Sequence, residues 1–338
     1  MTDRVVEEIA VAERESTLRW AIIGTGAISH HIAQDVTGLI GAELVAVASR
    51  DTRRAGEFAR LHGAAHAGSL SEVLGLGEVD VVYIATPHAT HHEIARRALM
   101  AGKHVLIEKP ATMDVAEAED LRQLAQATHA FLMEAMWMKF NPAYRALIDF
   151  VQSGGIGAVR SVRASFGLPF PRDDSSRWNA DLGGSALFDQ GIYPLTLACD
   201  MLGAPTEITA RGVREAGVDI AQHMTLEFGD GRYAQLASSM SEFVEPTAAV
   251  NGTDGWVEIP FPFWVATEFT THLADPKTFL TSQTSRFEKQ GNGYTPMLRA
   301  VQQAILDGAR EHSLHTWSDT TAVLALLQST ATQITQNR

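Results

Sequence analysis

The chain has 338 residues, with 27 Lys and Arg against 40 Asp and Glu, a formal net charge of −13. That length exceeds one ordinary hydrophobic core, so two domains are expected. The acidic balance and the lack of a basic block exclude nucleic acid as a main partner, because neutralising phosphates needs a basic face. The one cysteine, Cys199, excludes an intrachain disulfide and fits a reducing, cytoplasmic setting. Glu7, Glu8, Glu13 and Glu15 read as a frayed leader rather than a secretory signal, and no apolar run approaches a membrane span. The partner implied is a small molecule.

Residues 18–23 are a short apolar run that predicts a strand. Gly24-Thr25-Gly26-Ala27-Ile28-Ser29 follows, and Ile28, Ile32 and Val36 recur at helical spacing. Strand, glycine turn and helix N-terminus make a cradle for a pyrophosphate. The first glycine permits the turn, the second lets the backbone approach, and the helix offers N–H groups and its positive dipole. Gly24, Thr25, Gly26, Ala27 and Ile28 are therefore candidate cofactor contacts, with Ser29 making the fingerprint a degenerate one.

The next strand covers 43–48. Where an NAD enzyme carries an acid for the ribose, this chain reads Ser49-Arg50, with Arg53 and Arg54 beyond. A hydroxyl and guanidinium groups suit a 2′-phosphate, so NADP is expected, NAD remaining open. Ser49, Arg50 and Arg54 are its candidate contacts, and one of Arg53 and Arg54 is expected on the solvent face of a helix.

Residues 79–85 predict a third strand with Thr86-Pro87-His88 at its end, and 90–93 read as a capping box opening a helix. Residues 104–107 predict a covered parallel strand that runs into Glu108-Lys109-Pro110. In an open α/β sheet, ligands bind beyond the carboxyl ends of the strands, so Lys109 stands on that rim, and Pro110 biases it to extended geometry. Asp114 and Glu117 cap a helix to about residue 127. The alternation predicts a doubly wound parallel sheet of Rossmann type over 18–138. His88, His91 and His92 have ligand-like spacing, but the helix-cap context accounts for it and no metal is expected. His88 is instead a candidate for the nicotinamide pocket.

A helix over 141–153 opens the second half. Strands are predicted over 159–166, 207–213, 220–228, 233–240, 248–251 and 255–259, and helices near 296–308 and 318–332. This describes an α+β domain with a largely antiparallel open sheet over 139–338. An uncovered apolar face of that sheet would be buried by a partner. Asp189 and Tyr193, four residues apart, would share one helix face. A nearby rim lysine would favour the phenolate and lower the Tyr193 pKa, making it a general acid/base.

Gly24-Thr25-Gly26, Ala85-Thr86-Pro87-His88, Glu108-Lys109-Pro110 and Asp189-Gln190-Gly191-Ile192-Tyr193 occur in this order. With them the chain resembles the Gfo/Idh/MocA oxidoreductases from about residue 18 to the C-terminus. Tyr193, the run 133–137 and Phe140-Asn141-Pro142 are similar to the branch holding dimeric dihydrodiol and NADP-dependent D-xylose dehydrogenases. The resemblance implies cofactor contacts at Thr86, Pro87, His88, Glu108 and Lys109, and catalytic roles for Lys109, Asp189 and Tyr193. It also implies substrate contacts at Trp137, Arg160, Phe166 and Arg214, and homodimers or homotetramers built through the second sheet. The expected reaction is NADP-dependent hydride transfer between nicotinamide C4 and a secondary alcohol or carbonyl of a sugar, cyclic polyol or dihydrodiol. Tyr193 carries the proton, Lys109 tunes it and Asp189 orients the site. The alternative is a non-catalytic dinucleotide-binding regulator on the same fold.

Overall fold

The computed structural model describes residues 17–336, and the acidic leader lies outside the described residues. Six parallel strands form the first sheet: β1 (Leu18–Ile23), β2 (Ala42–Ala48), β3 (His66–Gly68), β4 (Val81–Ile84), β5 (His104–Ile107) and β6 (Leu132–Glu134), in the order β3-β2-β1-β4-β5-β6. Every residue of β4, and β1 from Trp20 onward, is buried, which is why these strands read as unbroken apolar runs. The order reverses between β1 and β4, and that switch point opens a crevice beyond their carboxyl ends.

The helices of this half are α1 (Ala27–Thr37), α2 (Thr52–His62), α3 (Leu70–Leu74), α4 (His91–Met100) and α5 (Val115–Thr128). Asp51 caps α2, its side chain accepting from the amides of Arg53 and Arg54. Asp114 caps α5 by accepting from the Glu117 amide. The capping box expected at 90–93 does not form. A 3-10 turn, His88–Thr90, runs straight into α4, and the Thr90 hydroxyl donates back to the Pro87 carbonyl at 2.7 Å.

Eight strands form the second sheet, in the order β14-β13-β12-β11-β7-β10-β9-β8: β7 (Val159–Gly167), β8 (Glu207–Glu215), β9 (Val218–Phe228), β10 (Arg232–Ser239), β11 (Ala248–Gly252), β12 (Gly255–Ile259), β13 (Glu268–Asp275) and β14 (Phe279–Arg286). Only β7 and β10 pair in parallel. The last two strands are absent from the sequence expectation. Their Thr, Ser and Gln residues give almost no apolar alternation, because β14 is an exposed edge. Helices α6 (Pro142–Gln152), α7 (Ile192–Leu202), α8 (Thr295–Leu306) and α9 (Trp317–Gln336) complete the chain.

Helix α7 covers β7 and β10, and α9 covers β8. The opposite face presents Arg163, His223, Thr225, Glu227 and Gln235, all exposed. That face is mostly polar rather than the apolar one expected, with Tyr233 and Val213 exposed among its charged and polar residues. Residue 138 separates the two sheets but not the layers. Met297, Leu298 and Val301 of α8 pack with Trp20, Ile22 and Leu44 of the first sheet, and Asp35 of α1 accepts from the amides of Asn292, Tyr294 and Thr295.

Candidate active site

The rim of β5 and the start of α7 meet above the switch point. Glu108 is turned inward: Oε1 accepts from the Tyr83 hydroxyl at 2.6 Å, and Oε2 accepts from the Lys109 amide at 3.1 Å. Lys109 points outward to Asp189. Its Nζ donates to Asp189 Oδ1 and to the Asp189 carbonyl oxygen, each at 2.7 Å.

Asp189 lies on a π-helical turn, Leu187–Gly191, that runs into α7. The expected α-helical face is therefore replaced by a wider turn, a form frequent at functional sites. Pro194, five residues beyond Asp189, has no N–H to offer its carbonyl, which accepts from Lys109 instead. Asp219 anchors the turn, accepting from the Leu187 amide at 2.8 Å and the Ser185 hydroxyl at 2.6 Å. Gly191 has no room for a side chain, since a Cβ would lie 2.9 Å from Ser238 Oγ and 3.0 Å from Gln222 Nε2.

Tyr193 is 4% exposed. Its hydroxyl oxygen accepts from Trp137 Nε1 at 2.9 Å. An indole N–H can only donate, so the phenolic proton points elsewhere and is free to be given away. Lys109 Nζ lies 5.1 Å from the centroid of the Tyr193 ring. Phe166 stands 5.8 Å from the same ring and stacks on Trp264 at 3.5 Å, forming an aromatic wall.

Charge follows from this packing. Burial pushes the Tyr193 phenol up to about 12, while the Lys109 cation and the Trp137 N–H pull the other way. The lowering expected from Lys109 is present, but burial outweighs it. Against the effect of burial, Lys109 and Arg177 hold the Asp189 carboxyl well below its ordinary range, and Asp189 holds Lys109 above its own. His88 is half-buried, and desolvation pushes it down to about 3. Its neutral ring donates from Nδ1 to the Gly183 carbonyl at 3.1 Å, which leaves Nε2 an acceptor.

The glycine turn fits a dinucleotide. Gly24 has φ +108°, and a Cβ there would lie 2.3 Å from the Ala85 carbonyl oxygen. Around Gly26 nothing lies within 4 Å of a built Cβ, and no side chain caps α1. Ala27 and Ile28 begin that helix, so an anion meets N–H groups and the positive dipole. Arg54 Nη2 lies 3.4 Å from the Thr25 carbonyl, over the turn, and Arg50 is exposed just past the end of β2. Ser49 Oγ accepts from the Asp51 amide at 3.3 Å. Arg53 instead turns to Glu57 at 2.7 Å.

Matches to known proteins agree with this construction. The sequence model of an oxidoreductase family with an NAD-binding Rossmann fold, GFO/IDH/MocA, matches residues 18–136. The model of the GFO/IDH/MocA C-terminal domain matches residues 144–258. The chain belongs to the GFO/IDH/MocA oxidoreductases.

Among relatives, trans-1,2-dihydrobenzene-1,2-diol dehydrogenase of Xenopus laevis is 30% identical over 94% of this chain and 98% of its own. The Bos taurus protein of that name is 37% identical over 87% and 90%. KijD10, a 3-ketoreductase from Actinomadura kijaniata solved with NADP and TDP-benzene, superposes with a TM-score of 0.84 at 29% identity, covering 94% of this chain and 98% of its own. Structures of that ketoreductase with one tyrosine changed to phenylalanine and with one lysine changed to alanine also match. The two changed positions have the same separation in sequence as Tyr193 and Lys109.

This GFO/IDH/MocA enzyme is an NAD(P)-dependent dehydrogenase or reductase. Of the residues singled out in its sequence, the structure brings Lys109, Asp189, Tyr193, Trp137 and Phe166 into one cluster, with Thr86, Pro87 and His88 on the neighbouring turn. It does not bring Arg160 or Arg214 there. Arg160 lies at the far end of β7 from Phe166, roughly 20 Å by strand rise, and donates to the Asp230 carbonyl at 2.8 Å. Arg214, on the edge strand β8, donates to Thr335 Oγ1 at 2.6 Å. His91 and His92 are engaged separately, His92 with Asp120 at 2.8 Å.

Sequence reasoning missed three contributors. Arg177 donates to Asp189 Oδ2 at 3.1 Å and lies 3.7 Å over the Phe170 ring. Trp264 forms half of the aromatic wall, and Tyr294 packs on Trp137 with ring centroids 4.7 Å apart.

Proposed function

We propose that this protein is an NADP-dependent oxidoreductase that interconverts a secondary alcohol and a carbonyl on a sugar, cyclic polyol or dihydrodiol, with Tyr193 as acid/base. The observation that carries the reading is the Trp137 N–H donated to Tyr193 Oη, which leaves the phenolic proton for the substrate oxygen. NADP(H) supplies or receives the hydride when bound. In reduction, Tyr193 gives its proton to the carbonyl oxygen, and the phenolate formed is held by the Trp137 N–H and the Lys109 cation. In oxidation the same phenolate takes the alcohol proton.

Lys109 is the fixed charge that makes this transfer cheaper, and Asp189 and Arg177 hold it in place. The Phe166–Trp264 wall suits an apolar ring face beside a reacting hydroxyl, in keeping with relatives named for a dihydrodiol. Arg54 near the glycine turn and Arg50 past the end of β2 favour a 2′-phosphate, and Asp51, the nearest acid, is occupied as the cap of α2. Assembly through the second sheet is part of the reading, its support being the helix-free face around Arg163 and Gln235.

Oxidation of a panel of trans-dihydrodiols, sugars and polyols with NADP and with NAD, followed at the reduced-nicotinamide absorbance, tests the assignment. Turnover of a dihydrodiol or sugar with preference for NADP is expected. No turnover of any member with either coenzyme contradicts it.

A further inference from the structure

His91 opens α4 and is fully buried. Its Nδ1 lies 2.8 Å from the Pro110 carbonyl oxygen, and its Nε2 lies 2.8 Å from the Thr86 carbonyl oxygen. Carbonyl oxygens only accept. A neutral imidazole has one N–H, so it satisfies one contact and sets a lone pair against the other oxygen; only the imidazolium donates to both. The two carbonyls belong to the two turns that build the site. Thr86 precedes Pro87-His88, and Pro110 follows Lys109.

The groups facing the ring divide over its second proton. Lys109 opposes it, Glu134 favours it, and His88 meets it edge-on with ring centroids 5.7 Å apart. Burial draws the ring below its ordinary value, and the two carbonyls offset only part of that lowering.

We propose that His91 is a positioning residue whose second proton ties the Thr86 turn to the Lys109 turn, linking the spacing of coenzyme loop and lysine to pH. Doubly protonated, the ring holds both turns. When that proton leaves, one tie becomes a repulsion and the turns part. By linkage, a ligand seated on the Thr86 turn strengthens proton binding at His91. The inference rests on the reading of Lys109 given above for its consequence in catalysis, but not for its chemistry.

Nitrogen NMR of the full chain with labelled histidine, from about pH 5 to about pH 9, tests it. The His91 signals are identified by their loss in His91→Gln. The expected result is two protonated ring nitrogens at the acid end and one at the basic end, with NADPH moving the midpoint upward. A single neutral tautomer throughout, or a midpoint that NADPH does not move, overturns the proposal. This measurement needs no turnover, so it stands apart from the hydride-transfer reading.

In His91→Gln, whose amide donates to one carbonyl, kcat is expected to fall roughly tenfold or more. NADPH affinity should also lose its wild-type pH dependence. A variant that only melts earlier while keeping that pH dependence would make the role structural and overturn the proposal.

Discussion

Asp189 holds Lys109 on two oxygens, Oδ1 and its own carbonyl, each 2.7 Å from Nζ. Lys109 meets Tyr193 across the ring face, 5.1 Å from the centroid. The ammonium therefore acts as a fixed charge, and the phenol is the group that moves a proton.

Removing either member of the ion pair should move Tyr193 in opposite directions. Lys109→Met takes away a cation and pushes tyrosinate formation to higher pH. Asp189→Asn takes away an anion and brings it to lower pH, each by about one pH unit or more. Tyrosinate absorbance of each variant, less that of the same variant with Tyr193→Phe, measures this. Shifts of the same sign would contradict the electrostatic picture.

Glu134 is a buried carboxylate that accepts from the Ala111 amide at 2.9 Å and meets His315 Nε2 at 2.9 Å. Against the effect of burial, His315 and the Ala111 amide hold its pKa below the ordinary carboxyl value. Its stabilisation is present above the unfolded carboxyl pKa and is lost as pH falls through the lower folded value. Glu134→Gln should cost about 3 to 5 kcal/mol at neutral pH and progressively less in acid. Urea denaturation at several pH values checks it; a cost independent of pH would count against the pairing.

Arg54→Ser should weaken NADPH binding roughly tenfold or more while changing NADH binding by less than about threefold. Fluorescence titration with the two coenzymes gives the ratio. Equal losses for both would remove Arg54 from 2′-phosphate recognition.

Gly24→Ala places a methyl 2.3 Å from the Ala85 carbonyl oxygen at φ +108°. The strain and the clash should cost at least about 1 to 3 kcal/mol, read as a lower melting temperature together with loss of NADPH binding.

Four strands of the first sheet were legible because they are covered on both faces and the covering shows as apolar runs, whereas β3 and β6, three residues each at the sheet edges, are too short to give such a run. Lys109 was found by the turn that ends such a run. Arg177 and Trp264 lie in segments with no period, and their partners, Asp189 and Phe166, lie on other elements. Asp35 and Tyr294 meet across most of the chain, with no local signal of the contact. Arg160 shares parity with Phe166 along β7, but parity names a face of a strand and not an end of it. The net rise of the Tyr193 pKa could not be read either, since burial is a tertiary quantity.

Single-turnover reduction and oxidation by Tyr193→Phe, with NADPH affinity measured on the same protein, tests the central claim most directly. The account predicts a rate lower by roughly 10²- to 10⁴-fold with affinity unchanged, because the ring keeps its packing and loses the hydroxyl that carries the proton and accepts from Trp137. Turnover near the wild-type rate would contradict it.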